Sequence, residues 1–404
     1  MRNSNLEAAD KQFDGNSLAA KALLEATYFS LGDIKMEQEM RKAYRSMTPR
    51  TPEDYLYGGL GLTDIYYDKA ITFLEELATK YPLPRVHYFL GRAYYWKLVN
   101  TYSASGIDRT IQVVTAAQTT LPGDLFALRR QAGAHLTAAD IYEIQGNQER
   151  CQHHLYEAKK TADYMLTHHP DDARTYQVST QLAALEGDWE RAVTNAREAN
   201  RRAKELDDLA ALAPLLYRAG RVPETITEFD QLSEGIKNYF GIERVLYVAE
   251  WKDVDEAIAY YAEWFDELKG DQFWARAEYV YSTFAIFGLL DQAKQRSVEY
   301  LDRIGPPLAP DDFTSVMDKF IRGETKIDQL IESAETRFER MRAHFLKGCI
   351  HLGRGEAAEA KNEFKIAESE GMPSWGIHTE DTGRRAAVLL HRMRQDPNWP
   401  PWTD

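Results

Sequence analysis

The chain is expected to fold as an all-α array of antiparallel helical hairpins, and three observations carry that expectation. Apolar residues recur at helical spacing along the whole sequence, and no run of alternating residues is flanked by hairpin turns. Turn glycines recur at long, related intervals: Gly146 to Gly187 is 41 residues, Gly187 to Gly220 is 33, and Gly220 to Gly288 is 68. Small residues also sit beside bulky ones at positions where two helices must approach closely.

The stretch Met341 to Ser369 shows the unit most clearly. His344, Lys347, Gly348 and His351 fall at i, i+3, i+4 and i+7; after a turn at Gly353 to Gly355, Ala360, Phe364 and Ala367 fall at i, i+4 and i+7. Each set lines one face of one helix. Gly348, Ala360, Phe364 and Ala367 match the tetratricopeptide repeat, a helical pair of about 34 residues, which this stretch resembles. Lys347, His344 and His351 stand where that family places Leu, Trp and Tyr. The resemblance implies an α-solenoid of about eight to ten helical pairs, a right-handed superhelix, and a concave face lined by first helices. It implies a non-catalytic scaffold or adaptor that binds a protein or peptide.

Taken in order, residues 1–16 read as a polar leader. A helix from Ser17 ends at Gly32, and its partner runs from Ile34 to Met47. Pro52 opens the next helix, where its missing N–H costs nothing. Gly58, Gly59 and Gly61 serve close packing, followed by Ala70, Leu74 and Leu77. This PEDYL segment with its following Gly also resembles repeat-bearing tails of some bacterial Ser/Thr kinases. Leu90, Gly91 and Tyr94 match the first-helix signature, with a long connection from Val99 to Ile107. Later units are marked by Tyr142 and Ala158, Tyr176 and Ala192, Leu216 and Phe229, Ala257 and Tyr261, and Phe284 and Ala293. Lys252 replaces one turn glycine, and Pro214 implies a kink or a late helix start. The array is expected over 17–303, with a Pro-rich hinge or loop at 304–312. C-terminal repeats and a capping helix follow over 313–395, its arginines facing outward, and 396–404 forms an irregular tail.

Composition narrows the partners. The 404 residues are 44% hydrophobic and carry a net charge of −14, which disfavours nucleic acid and anionic membrane as main partners. No run approaches the roughly 18 apolar residues that span a bilayer. With only Cys151 and Cys349, a disulfide framework is excluded, and a reducing, cytoplasmic setting is expected. Cys151 reads as a buried packing thiol and Cys349 as partly exposed.

No phosphate-binding loop, His-Glu-x-x-His, Gly-x-Ser-x-Gly or EF-hand motif occurs, so no cofactor or catalytic residue is assigned. The histidines His153, His154, His168 and His169 read as a solvated helix face and loop rather than a metal site. The competing expectation is a carbohydrate-active or other enzyme on an all-helical toroid. Acidic pairs such as Glu75 with Glu76 and Asp311 with Asp312, together with 23 tyrosines and 8 tryptophans, support it. The residues that the resemblance places on the concave groove are Tyr55, Arg85, Tyr88, Arg92, Tyr95, Trp96, Arg174, Gln177 and Gln181. Arginine among aromatics is the usual chemistry of interface hot spots. Trp399 and Trp402 form either a recognition peptide or a segment folded back on the last helix.

Overall fold

The computed structural model describes residues 17–31, 34–62, 66–81, 86–203, 212–231, 234–267, 276–304, 312–370 and 382–402. These residues are helices joined by turns, with no strand among them. The expected all-α hairpin array is what the chain forms. It divides into two compact units, Met1–Leu182 and Ala183–Asp404.

The first unit contains α1 (Leu18–Leu31), α2 (Ile34–Arg45), α3 (Pro52–Leu62), α4 (Tyr67–Lys80), α5 (Val86–Thr101), α6 (Ile107–Thr120), α7 (Leu125–Ile144) and α8 (Gln148–His168). The division falls inside α9 (Ala173–Leu185). Each odd helix packs on the even helix that follows it, and odd helices also pack on one another, α1 on α3 and α5 on α7. One hairpin leaves an apolar stripe uncovered, and the next hairpin covers it. Leu18, Leu62, Leu74 and Leu77 are buried together on that principle. The expected close approaches are real: a Cβ on Gly58 would lie 2.4 Å from Leu18, and one on Gly59 would lie 2.7 Å from Leu74. Asp54, buried in the first turn of α3, joins two helix starts. It accepts hydrogen bonds from Ala19 N at 2.9 Å and from Arg50 N at 3.0 Å. Those amides have no intrahelical partner, so this buried carboxylate is fully used.

The second unit contains α10 (Trp189–Arg202), α11 (Leu212–Arg218), α12 (Val222–Asp230), α13 (Glu234–Trp251), α14 (Val254–Glu267), α15 (Arg276–Ile286), α16 (Leu290–Ile304), α17 (Asp312–Arg322), α18 (Ile327–Glu332), α19 (Arg337–Gly353), α20 (Ala357–Glu370) and α21 (Thr382–Gln395). Pro214 lies in the first turn of the described α11, and residues 204–211, which bear on the expected late start, lie outside the described residues. Residues 305–311, most of the expected hinge, lie outside the described residues, as do the leader 1–16 and Arg85.

In both units Gly146, Gly187, Gly220, Gly288 and Gly355 adopt φ between +71° and +76°, the left-handed conformation that ends a helix most cheaply in glycine. In the α19–α20 hairpin, a Cβ on Gly348 would lie 2.6 Å from the Phe364 ring, and Ala360, Phe364 and Ala367 are fully buried. The positions that depart from the repeat pattern are neutralised across the hairpin. His344 Nδ1 lies 2.6 Å from Glu363, and Lys347 Nζ lies 3.5 Å from the same carboxylate. Helix α19 packs directly on α15. There Arg342 makes a buried bidentate pair with Glu278, and Gly353 approaches α15 so closely that a Cβ would strike the Ala285 carbonyl.

Two expectations are corrected here. Cys349 is fully buried rather than partly exposed, because it faces the α15 side of α19. The arginines of α21 do not simply face outward as on a cap: Arg385 and Arg392 pair with Glu243 and Glu250 on α13, while Arg394 is exposed. Trp399 is buried and its indole N–H donates to Glu250 at 2.8 Å; that of Trp402 donates to the Ile286 carbonyl at 3.0 Å. The tryptophan tail is folded back.

Gly348→Ala and Ala360→Trp each overpack the α19–α20 contact. Each is expected to destabilise the second unit, by about 1–3 kcal/mol for the added methyl and by more for the indole. Thermal unfolding followed by circular dichroism checks this; an unaltered profile would show that the contact is not close-packed.

Candidate functional site

In a stack of hairpins, the face of the odd helices that points away from the even ones is the surface left for a ligand. In the first unit that face is built by α5, α7 and α9. Across α5 and α9 there is no acidic residue, and α7 has none before Asp140. The even helices carry the acids instead, with Asp108 on α6 and Glu149, Glu157 and Asp163 on α8. In a chain with 63 acidic against 49 basic residues, this is a marked segregation.

The first turns of the three odd helices meet through an aromatic bridge. Tyr88 on α5 packs edge-on to Phe126 on α7, with centroids 6.3 Å apart, and the Arg174 guanidinium on α9 lies 4.4 Å from the Phe126 centroid. Asp172 fixes that guanidinium with two hydrogen bonds, at 2.9 and 3.1 Å. Phe126 is 47% exposed, large for a phenyl ring, and so presents an apolar contact surface beside a fixed cation. One turn further along, Arg130 lies over the Tyr95 ring at 5.1 Å.

The nine expected groove residues separate by depth. Tyr88, Arg92, Trp96 and Arg174 are half-buried and reach the surface. Tyr55, Tyr95, Gln177 and Gln181 are buried. Tyr55 packs on Phe73 and accepts from Lys80 Nζ at 2.8 Å, and Tyr95 fills the space left by Gly133. Arg85 lies outside the described residues. The structure therefore brings Tyr88 and Arg174 together through Phe126, a residue that the repeat pattern did not single out. Its signal was available: an aromatic side chain in the first turn of an odd helix, four residues before Arg130.

The histidines are placed differently from expectation. His154 is buried, not solvated, and its Nδ1 lies 3.0 Å from Nδ1 of His135 on α7, with Tyr142 stacked on its ring. Burial is the main cause that holds His135 down to about 3 and His154 down to about 4. Both are neutral at pH 7, so one Nδ1 donates and the other accepts. The acidic pairs of the enzyme alternative are engaged in ion pairs: Glu75 with Arg109 and Glu76 with Lys80. Asp311 lies outside the described residues. In the second unit an open cleft of about 830 Å³ is lined by Tyr281, Phe320, Lys347, His351 and Glu363. Within it Lys347 pairs with Asp328, and His351 with Glu356.

No family model and no curated protein matches the chain. Among solved structures, the chain is similar to TTC0263, a thermophilic TPR protein of Thermus thermophilus, at 19% identity and a TM-score of 0.39. The match covers 52% of this chain and 98% of that one. At that score the fold and the site rest on the helices described above.

Because the histidine pair is neutral when folded and titrates near 6.5 when unfolded, the unfolded chain binds more protons between those values. Stability is full above pH 6.5 and falls as pH drops towards 4. The expected loss is about 2–3 kcal/mol per histidine at pH 4.5. Melting temperature against pH checks this, and a His135→Leu, His154→Leu double variant is expected to show a shallower fall.

Proposed function

We propose that the protein is a non-catalytic scaffold that binds an acidic, aromatic- or aliphatic-bearing peptide segment of a partner on the odd-helix face of the first unit. The observation that carries the reading is the charge segregation: three adjacent odd helices carry Arg92, Arg129, Arg130 and Arg174 with no acid inside them before Asp140, and Asp172, just ahead of α9, pairs with Arg174. Arginines are the side chains best suited to grip carboxylates while stacking on rings, and Tyr88 and Phe126 supply the rings. An acidic ligand also complements the face, whereas the chain as a whole, at net −14, repels it. No helix among the described residues is long and apolar enough to cross a membrane.

The non-catalytic part rests on how the reactive groups are used. His135 and His154, both with depressed pKa values, face each other between α7 and α8, and in the open cleft Asp328 and Glu363 pair with Lys347. Catalysis would need such groups converging on substrate space.

The test is titration of the full chain with a fluorescent peptide that alternates Glu with Phe and Leu. Arg92→Glu with Arg130→Glu is expected to weaken binding at least tenfold, about 1.4 kcal/mol, with the melting temperature unchanged. Equal binding by the wild type and the double variant would remove this face from the account.

A further inference from the structure

In the second unit the odd helix α13 presents the opposite charge through Glu243 and Glu250, and both are already paired. Helix α21 packs on α20 and α19, and it also reaches α13 through two ion-pair rungs, Arg385 to Glu243 and Arg392 to Glu250. Both partners are separated by 142 residues, and the rungs are seven residues apart on each helix. A constant offset means the two helices run parallel, in one register fixed at two points. Between the rungs Val388 packs on Tyr217 and Tyr247. Arg385 lies over the Tyr279 ring at 3.9 Å, and Tyr217 Oη donates to Glu250 at 2.6 Å.

Such a contact is not the one that stability alone selects. Buried Arg–Glu pairs repay their desolvation poorly compared with apolar packing, and their attested use is to fix register or partner choice. The fit is also incomplete in one place. Glu243 Oε2, Arg385 Nε and Arg392 Nε are buried without a hydrogen-bond partner. A cavity of about 60 Å³ lies at the same interface, lined by Glu243, Leu246, Tyr247, Arg385, Val388 and Leu389. A close-packed interior avoids both faults.

We propose that the face of α13 and α15 is a docking site for a basic amphipathic helix, and that α21 is its built-in, imperfect occupant. The external ligand is a partner helix with two arginines seven residues apart and a bulkier apolar side chain than valine at the position of Val388. Being tethered, α21 holds the site at an effective concentration of order millimolar, so only a better-fitting helix displaces it. The site stands independently of the proposed acidic-peptide face, since it involves other helices and a ligand of opposite charge.

The test uses the full chain and a labelled synthetic peptide of its own residues 382–402. Wild-type protein is expected to bind this peptide weakly, and an Arg385→Ala, Arg392→Ala variant at least tenfold more tightly. Val388→Ala in the full chain, which trims the built-in helix but keeps both rungs, is expected to tighten binding about threefold and serves if the double variant fails to fold. A peptide carrying Val388→Leu is expected to bind each protein more tightly than the unaltered peptide, because it fills the cavity. Equal binding by wild type and Val388→Ala, or weaker binding of the Val388→Leu peptide, would overturn the proposal. Formation of a dimer by the variants in place of peptide binding would assign the face to a second copy and overturn the claim of a foreign partner.

Discussion

A helical hairpin has more apolar surface than it can bury by itself, and this decides which faces of the chain are free to act. Stacking requires helices to approach until side chains interlock, and the approach is set by the smallest residues. Gly58 against Leu18, Gly348 against Phe364 and Gly353 against the Ala285 carbonyl are the points where a methyl group would not fit. Once those contacts are made, the even helices and the hairpin seams are committed to packing. What remains for recognition is one stripe along the odd helices of each unit, so the charges on that stripe have consequences out of proportion to their number.

The two units use the stripe in opposite ways. In the first, α5, α7 and α9 carry arginines and aromatics, and the acids are on α6, on α8 and at the end of α7, Asp140 and Glu143. In the second, Glu243 and Glu250 on α13 meet a basic helix from the same chain. Replacing either glutamate would strand an arginine that is nearly buried, which costs more than the pair itself contributes. The tail reinforces the arrangement: Trp399 shares Glu250 with Arg392, and Trp402 closes over Phe287 with ring centroids 5.1 Å apart.

Much of the architecture was legible because it depends on short-range pattern. The Gly348, Ala360, Phe364 and Ala367 set, the left-handed turn glycines and the Pro52 helix start all express contacts within one hairpin, and periodicity reveals those. The candidate site was legible only in part. Tyr88 and Arg174 were visible from their place in the repeat, but Tyr55, Tyr95, Gln177 and Gln181 turned inward where a neighbouring helix left room. The pairing of His135 with His154 joins two helices at unrelated register positions, and no spacing in the sequence announces it. The α13–α21 contact spans 142 residues. Its one sequence trace is that Glu243 and Glu250 share the seven-residue spacing of Arg385 and Arg392, a coincidence that becomes meaningful only when the helices are seen side by side. Cys349 was misread for a similar reason, since nothing within α19 shows that α15 lies against it.

Everything proposed for the first unit depends on its odd helices, and not the even ones, being the recognition surface. The decisive measurement is hydrogen exchange of the full chain, read by mass spectrometry with and without excess acidic aromatic peptide. Exchange is expected to slow within residues 86–101, 125–144 and 173–185, and to stay unchanged within residues 107–120 and 148–168. Slowing confined to the even helices, or no slowing in either set, would refute the assignment.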